Sequence, residues 1–172
     1  MKHLLLLRHA KAHPAERGVA DRDRSLTARG HRDARLMGTA IAEVGVPDLI
    51  LCSPARRTRE TLEGVIETLA LEPKVVFVDR LYDGRDATYA EAIAANGGSV
   101  GSLLVIGHNP TVHATAVALA AKGDRGLRAA MSAKFPTCAL AVITCDTADW
   151  KLKAGELIAF RRPKDLGSDG ED

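Results

Sequence analysis

The chain has 172 residues, 46% of them hydrophobic but only 3% aromatic, and a formal net charge of +2. That length suits one domain burying roughly 70% of its unfolded surface, with a core of Ala, Val, Leu and Ile. The near-neutral balance gives no global argument for nucleic acid or a membrane surface, so any affinity for anions must come from local clustering. Cys52, Cys138 and Cys145 are an odd number without CxxC spacing, which argues for a reducing compartment rather than a disulfide framework. The leucine run behind Met1-Lys2-His3 is too short for a signal-peptide core, and no apolar stretch reaches membrane-spanning length. A cytoplasmic protein is expected.

Leu4-Leu5-Leu6-Leu7 reads as a short strand covered on both faces, since it shows no polar alternation, and it stops abruptly at Arg8-His9. A charged loop follows from Lys11 to Arg24. Thr27 then caps a helix whose apolar face carries Ala34, Met37, Ala40, Ile41 and Val44, and Gly45 and Pro47 end it. Asp48–Cys52 is a second strand. Ser53-Pro54 opens a second helix, serine as the cap and proline at the first helical position, with Arg56, Arg57 and Arg59 in its opening turns. Val75–Val78 is a third strand, Leu81-Tyr82-Asp83-Gly84 a loop, and a helix runs to about Ala95. Leu103–Ile106 is a fourth strand ending at Gly107-His108-Asn109-Pro110, and Thr111–Ala121 is helical. Cys138–Thr144 and Trp150–Phe160 read as two more strands, a hairpin at the sheet edge. Residues 164–172 are polar and Gly-rich and read as a flexible tail behind a single domain spanning 1–163. Strands alternating with helices predict an α/β fold of three layers, α/β/α, with a mostly parallel central sheet.

In a parallel sheet the carboxyl ends of successive strands share one edge, where open α/β folds place ligand chemistry. Three of these strands end in Arg8-His9, in Ser53 with its arginines, and in His108. Guanidinium groups bind phosphoryl oxygens bidentately, and helix N-termini add unpaired N–H groups. Two imidazoles beside such a cluster point to phosphoryl transfer. Metal chemistry is the rival, but Pro14 argues against a helix presenting His9 and His13 together. His108 and His113 fall on different helical faces, and no HExxH is present. No metal and no cofactor is expected.

Arg8-His9-Ala10, Ser53-Pro54-x-x-Arg57-x-x-x-Thr61 and Gly107-His108-Asn109-Pro110 resemble the signatures of the histidine phosphatase superfamily, the phosphoglycerate-mutase-like fold. Leu26-Thr27-x-x-Gly30, Leu81-Tyr82-Asp83 and the short length are similar to its SixA-type phosphohistidine phosphatases. The resemblance covers roughly Met1 to Arg162. It implies that His9 is the nucleophile and becomes phosphorylated, that Arg8, Arg57 and His108 hold the phosphoryl oxygens, and that Ser53 and Asn109 contribute to phosphate binding. Many relatives place a glutamate general acid after the third strand; here Asp83 occupies that loop. The expected substrate is a phosphohistidine on a signalling or phosphotransfer protein, handled by a monomer. A small phosphomonoester is the alternative, and a phosphoprotein-binding module without turnover a third reading. Short connections between Val78 and Leu103, and between Ala121 and Cys138, imply an open pocket suited to a protein-borne group.

Overall fold

In the computed structural model, which describes residues 1–169, the leucine run is the centre of a seven-stranded sheet. Strand β1 (Lys2–Arg8) sends Leu4 and Leu6 into the core on one face and Leu5 and Leu7 into the core on the other. All four are fully buried, each stabilising the fold by about 1.5–3 kcal/mol. Strands β2 (Leu49–Cys52), β3 (Lys74–Phe77) and β4 (Ser102–Gly107) run parallel to β1, in the spatial order β3-β2-β4-β1. Beyond β1 come β6 (Leu140–Cys145), β7 (Gly155–Arg161) and β5 (Ala120–Gly123), of which β6 alone is antiparallel to its neighbours.

Helices α1 (Ala28–Val44) and α2 (Arg56–Ile66) cover one face, Ala34, Met37, Ile41, Leu62 and Val65 packing with Leu5, Leu7 and Ile50. Helices α3 (Ala90–Asn96), α4 (Thr111–Leu119) and α5 (Arg125–Ala133) cover the other through Ile93, Val112, Ala116 and Met131. The three-layer, mostly parallel architecture is the one the residue pattern implies.

Register places the chemistry. Arg8 pairs with Gly107, Leu7 with Ile106, and Ile106 with Cys52, so His9, Ser53 and His108 each lie one residue beyond the same edge. Two glycines let the backbone close there. A Cβ on Gly30 would meet the Lys11 carbonyl oxygen at 2.2 Å, and one on Gly107 would meet the Tyr89 ring at 2.5 Å. Gly30 N–H donates to the Thr27 cap while Thr27 N–H donates to Lys11, so the Leu-Thr-x-x-Gly element fastens the chain after His9 to α1.

The structure departs from the sequence reading in four places. Helix α2 starts at Arg56 rather than at Ser53-Pro54, and Ala55 is its cap residue; the serine hydroxyl is engaged elsewhere. Between α4 and β6 lie an additional strand, β5, and an additional helix, α5. The β6–β7 hairpin sits inside the sheet, with β5 forming that edge, and Trp150 precedes β7 as a buried plug under the Lys2 ammonium at 4.8 Å. The expected flexible tail begins instead with structure: Pro163–Leu166 form a 3₁₀ turn closed by reciprocal Arg162–Asp165 bonds, and Ser168 donates to Asp33 of α1 at 2.6 Å. Residues 170–172 of the expected tail lie outside the described residues.

Candidate active site

His9 follows the last residue of β1 and is only 9% exposed. Its backbone is held from both sides, its N–H donating to the carbonyl of Gly107 at the end of β4 and its carbonyl accepting from the N–H of Cys138, just ahead of β6. Its Nδ1 lies 2.7 Å from the Ala10 carbonyl oxygen. A carbonyl only accepts, so Nδ1 carries the proton and the neutral ring keeps its lone pair on Nε2. Burial, against the help of that carbonyl, and the positive charges of Arg57 and Arg8 bring the imidazole down to a pKa of about 3. His9 is therefore an unprotonated base at neutral pH with its free nitrogen fixed by geometry.

Ala10 is itself anchored. Its N–H donates to the Thr61 hydroxyl at 2.9 Å, and Thr61 donates to the Arg57 carbonyl at 2.7 Å. One buried threonine on α2 thus joins the segment that sets the His9 tautomer to the helix turn that carries Arg57.

His108 stands opposite, its ring centroid 5.3 Å from that of His9. Burial first, then Arg57 and Arg8, lower its pKa to about 4, while Asp21 acts in the opposite direction. Ser53 Oγ lies 2.7 Å from His108 Nε2, and His108 N–H donates to Tyr89 Oη at 3.0 Å. Ser53 thus supports an imidazole, whatever further contact it makes with a ligand.

The guanidinium of Arg57 is 8% exposed. Its Nη1 donates to the Asp21 carbonyl at 2.8 Å and its Nη2 to the Asp21 carboxylate at 3.2 Å, whereas its buried Nε has no partner among the described residues. The Nη1/Nη2 end is occupied and the Nε side is left for an acceptor, as a phosphoryl oxygen would be. Arg8 donates to the Phe135 carbonyl at 3.0 Å, and Asn109 Nδ2 donates to the same oxygen at 2.9 Å. A cleft of about 390 Å³ opens alongside, lined by Tyr82, Arg85, Tyr89, His108, Asn109 and Thr111 among others.

The structure brings Arg8, His9, Ser53, Arg57, His108 and Asn109 to one sheet edge. Asp83 is engaged otherwise: its carboxylate is taken by the Arg85 guanidinium and backbone N–H, which hold it below the ordinary carboxylate range. Asp21 and Tyr82, which the sequence reading gave no chemical role, do reach the site. Tyr82 donates to Asp21 Oδ2 at 3.0 Å and sets its ring edge-on to His108 at 5.7 Å. Four charges in a row, Asp21-Arg22-Asp23-Arg24, were the only signal, and they read as a solvated loop. Among the described residues no three His, Cys, Asp or Glu side chains converge to hold a metal ion.

The family model for the histidine phosphatase superfamily (branch 1) matches residues 4–82. An uncharacterised protein of Mycobacterium tuberculosis is 37% identical over 164 residues, 92% of this chain and all of its own. Among solved structures, a candidate phosphohistidine phosphatase SixA from Agrobacterium tumefaciens is 36% identical, with a TM-score of 0.80 over 94% of this chain and 97% of that one. The protein histidine phosphatase SixA, solved with tungstate, is 25% identical, with a TM-score of 0.75 over 95% and 99% of the two chains. On these likenesses, this chain belongs to the histidine phosphatase superfamily, branch 1.

Proposed function

We propose that this protein is a metal-independent phosphatase that works through a phosphohistidine on His9 and acts on a phosphohistidine borne by a signalling or phosphotransfer protein. The observation that carries the reading is the His9 ring, whose Nδ1–H is fixed on the Ala10 carbonyl so that Nε2 presents a lone pair beside Arg57, Arg8 and His108. Nε2 attacks phosphorus, and the bond from phosphorus to the leaving nitrogen breaks with its electron pair passing to that nitrogen. Water then attacks the His9 phosphoramidate, releasing phosphate and restoring the imidazole. Arg8, Arg57 and His108 stabilise charge on the transferring oxygens, with Ser53 steadying His108. Asn109, sharing the Phe135 carbonyl with Arg8, holds the pocket wall. The likeness to SixA proteins, one of them bound to tungstate, a tetrahedral phosphate mimic, supports this substrate class. So does the cleft, which opens on a surface where a protein partner can supply binding contacts.

Comparing kcat/KM on a histidine-phosphorylated protein and on a panel of phosphomonoesters tests the assignment. The phosphohistidine should be preferred, and rapid quench with labelled substrate should trap an acid-labile, base-stable phosphoenzyme that His9→Ala abolishes. Preference for a small alkyl phosphate would move the protein to the metabolite phosphatases. No turnover of any substrate, including a chromogenic aryl phosphate, would make it a binding module.

A further inference from the structure

Breaking a P–N bond raises a proton question. A neutral phosphohistidine would leave as an imidazolide, a poor leaving group; protonated on its remote ring nitrogen it leaves as neutral imidazole and needs no acid at the leaving nitrogen. Among the described residues the candidate donors of that proton are engaged otherwise: Asp83 is tied to Arg85, and both site imidazoles are unprotonated at neutral pH. Asp21 is held by Arg24 at 3.0 Å from Oδ1, by Arg57 Nη2 at 3.2 Å and by Tyr82 Oη at 3.0 Å from Oδ2. Arg22 lies over the Tyr82 ring at 5.6 Å. Although desolvation opposes it, the bonds from Arg24, Tyr82 and Arg57 keep Asp21 ionised, with a pKa of about 2. Its side chain is nevertheless 55% exposed, Oδ1 accepts from Arg24 alone among the described residues and so can take a second donor, and its charge is felt at His108.

We propose that Asp21 is a specificity residue of this site, a fixed carboxylate that accepts a hydrogen bond from the protonated remote ring nitrogen of a bound phosphohistidine. This rests on the function proposed above. The substrate binds as its imidazolium form, the N–P bond breaks with both electrons passing to the ring, and neutral imidazole departs with the proton it brought. Tyr82 and Arg57 hold the carboxylate in place, and Asp21 itself donates no proton. Monoesters, which carry no such nitrogen, draw no benefit from it.

The test compares a protein carrying phosphohistidine, made by chemical phosphorylation, with 4-nitrophenyl phosphate, using the parent, Asp21→Asn and Tyr82→Phe. A hydrogen bond to a charged partner is worth on the order of tenfold or more in rate. Asp21→Asn should lose at least that factor more in kcat/KM on phosphohistidine than it loses on the aryl phosphate, whose rate feels only the weakened hold on Arg57. Its activity on phosphohistidine should also fall off at lower pH than the parent's, because the bound imidazolium loses its anionic partner. Tyr82→Phe, which keeps the carboxylate, should retain the parent's preference. Equal losses on both substrates in Asp21→Asn would overturn the inference, reducing Asp21 to a support for Arg57, and so would an unchanged preference. A parent that ignores phosphohistidine but turns over the aryl ester through His9 would instead overturn the proposed function, and the inference with it.

Discussion

Replacing Thr61 with valine removes one hydroxyl and nearly preserves volume, so its effects trace to two hydrogen bonds. The Arg57 carbonyl keeps its helical N–H partner. The Ala10 N–H does not: it is buried, its bond to Thr61 Oγ1 is lost, and the valine methyl blocks water. An orphaned buried amide costs about 1–3 kcal/mol. For a protein of this size that is a fall in Tm of roughly 2–12 °C. Because the Ala10 carbonyl orients His9 Nδ1–H, relaxation of Ala10 should also misplace Nε2. A displacement near 1 Å costs about 10²-fold, so kcat should fall between roughly 10- and 100-fold with KM little changed. Thr61→Ser, which retains the hydroxyl, should recover most of both losses. Calorimetry with steady-state kinetics on an aryl phosphate measures the pair. Full stability and activity in Thr61→Val would show that Ala10 N–H finds another partner; lost stability with unchanged kcat would break the proposed link between α2 and the nucleophile.

Arg57→Ala should lose on the order of 10²–10³ in kcat/KM, whereas Arg56→Ala, half exposed and paired with Glu60 at 2.7 Å, should weaken substrate capture modestly and in a salt-dependent way; equal losses would mean that the two roles are misassigned. Asp83→Asn should leave rates on phosphohistidine and aryl substrates near those of the parent, because the carboxylate is spent on Arg85; a tenfold loss would restore it as an acid. Folding lowers the pKa of His9 to about 3 and of His108 to about 4, from 6.5, so below pH 6.5 the unfolded chain binds more protons than the folded one. Denaturant titrations should therefore show this contribution intact above pH 6.5 and lost as pH falls towards 3, while histidine protonation leaves activity untouched down to about pH 5. A stability that rises on acidification over that window would contradict the burial of both rings.

Much of this was legible because buried strands and helix caps announce themselves. Leu4–Leu7 can only be a two-sided core strand, and His9 behind it, Ser53 behind β2 and His108 behind β4 must share one edge once the sheet is parallel. The missed parts lack such signals. β5 is Ala-Ala-Lys-Gly, without a β-branched residue, and exists because β7 offers it an edge to pair with. Helix α5 is nine residues long, with Met131 its one buried side chain. Asp21 sits in a loop without periodicity, and its role depends on Arg57 and Tyr82, which lie 36 and 61 positions away. Ser53-Pro54 carried a helix-start signature, but a hydrogen bond to a site imidazole took the hydroxyl that capping would have used.

The antiparallel strand β6 has a bearing on biosynthesis. Running against β1, it enters the sheet at the edge where β1 and β4 leave, and the Phe135 carbonyl that steadies Arg8 arrives from 127 positions downstream. The His9 carbonyl is closed by Cys138 N–H. A ribosome-bound chain holding the first two thirds of the protein possesses His9, Arg57 and His108 yet lacks the strand that squares them to one another. Closure of this edge comes only with the last third, so in an emerging chain these side chains stay unaligned until β6 has joined β1.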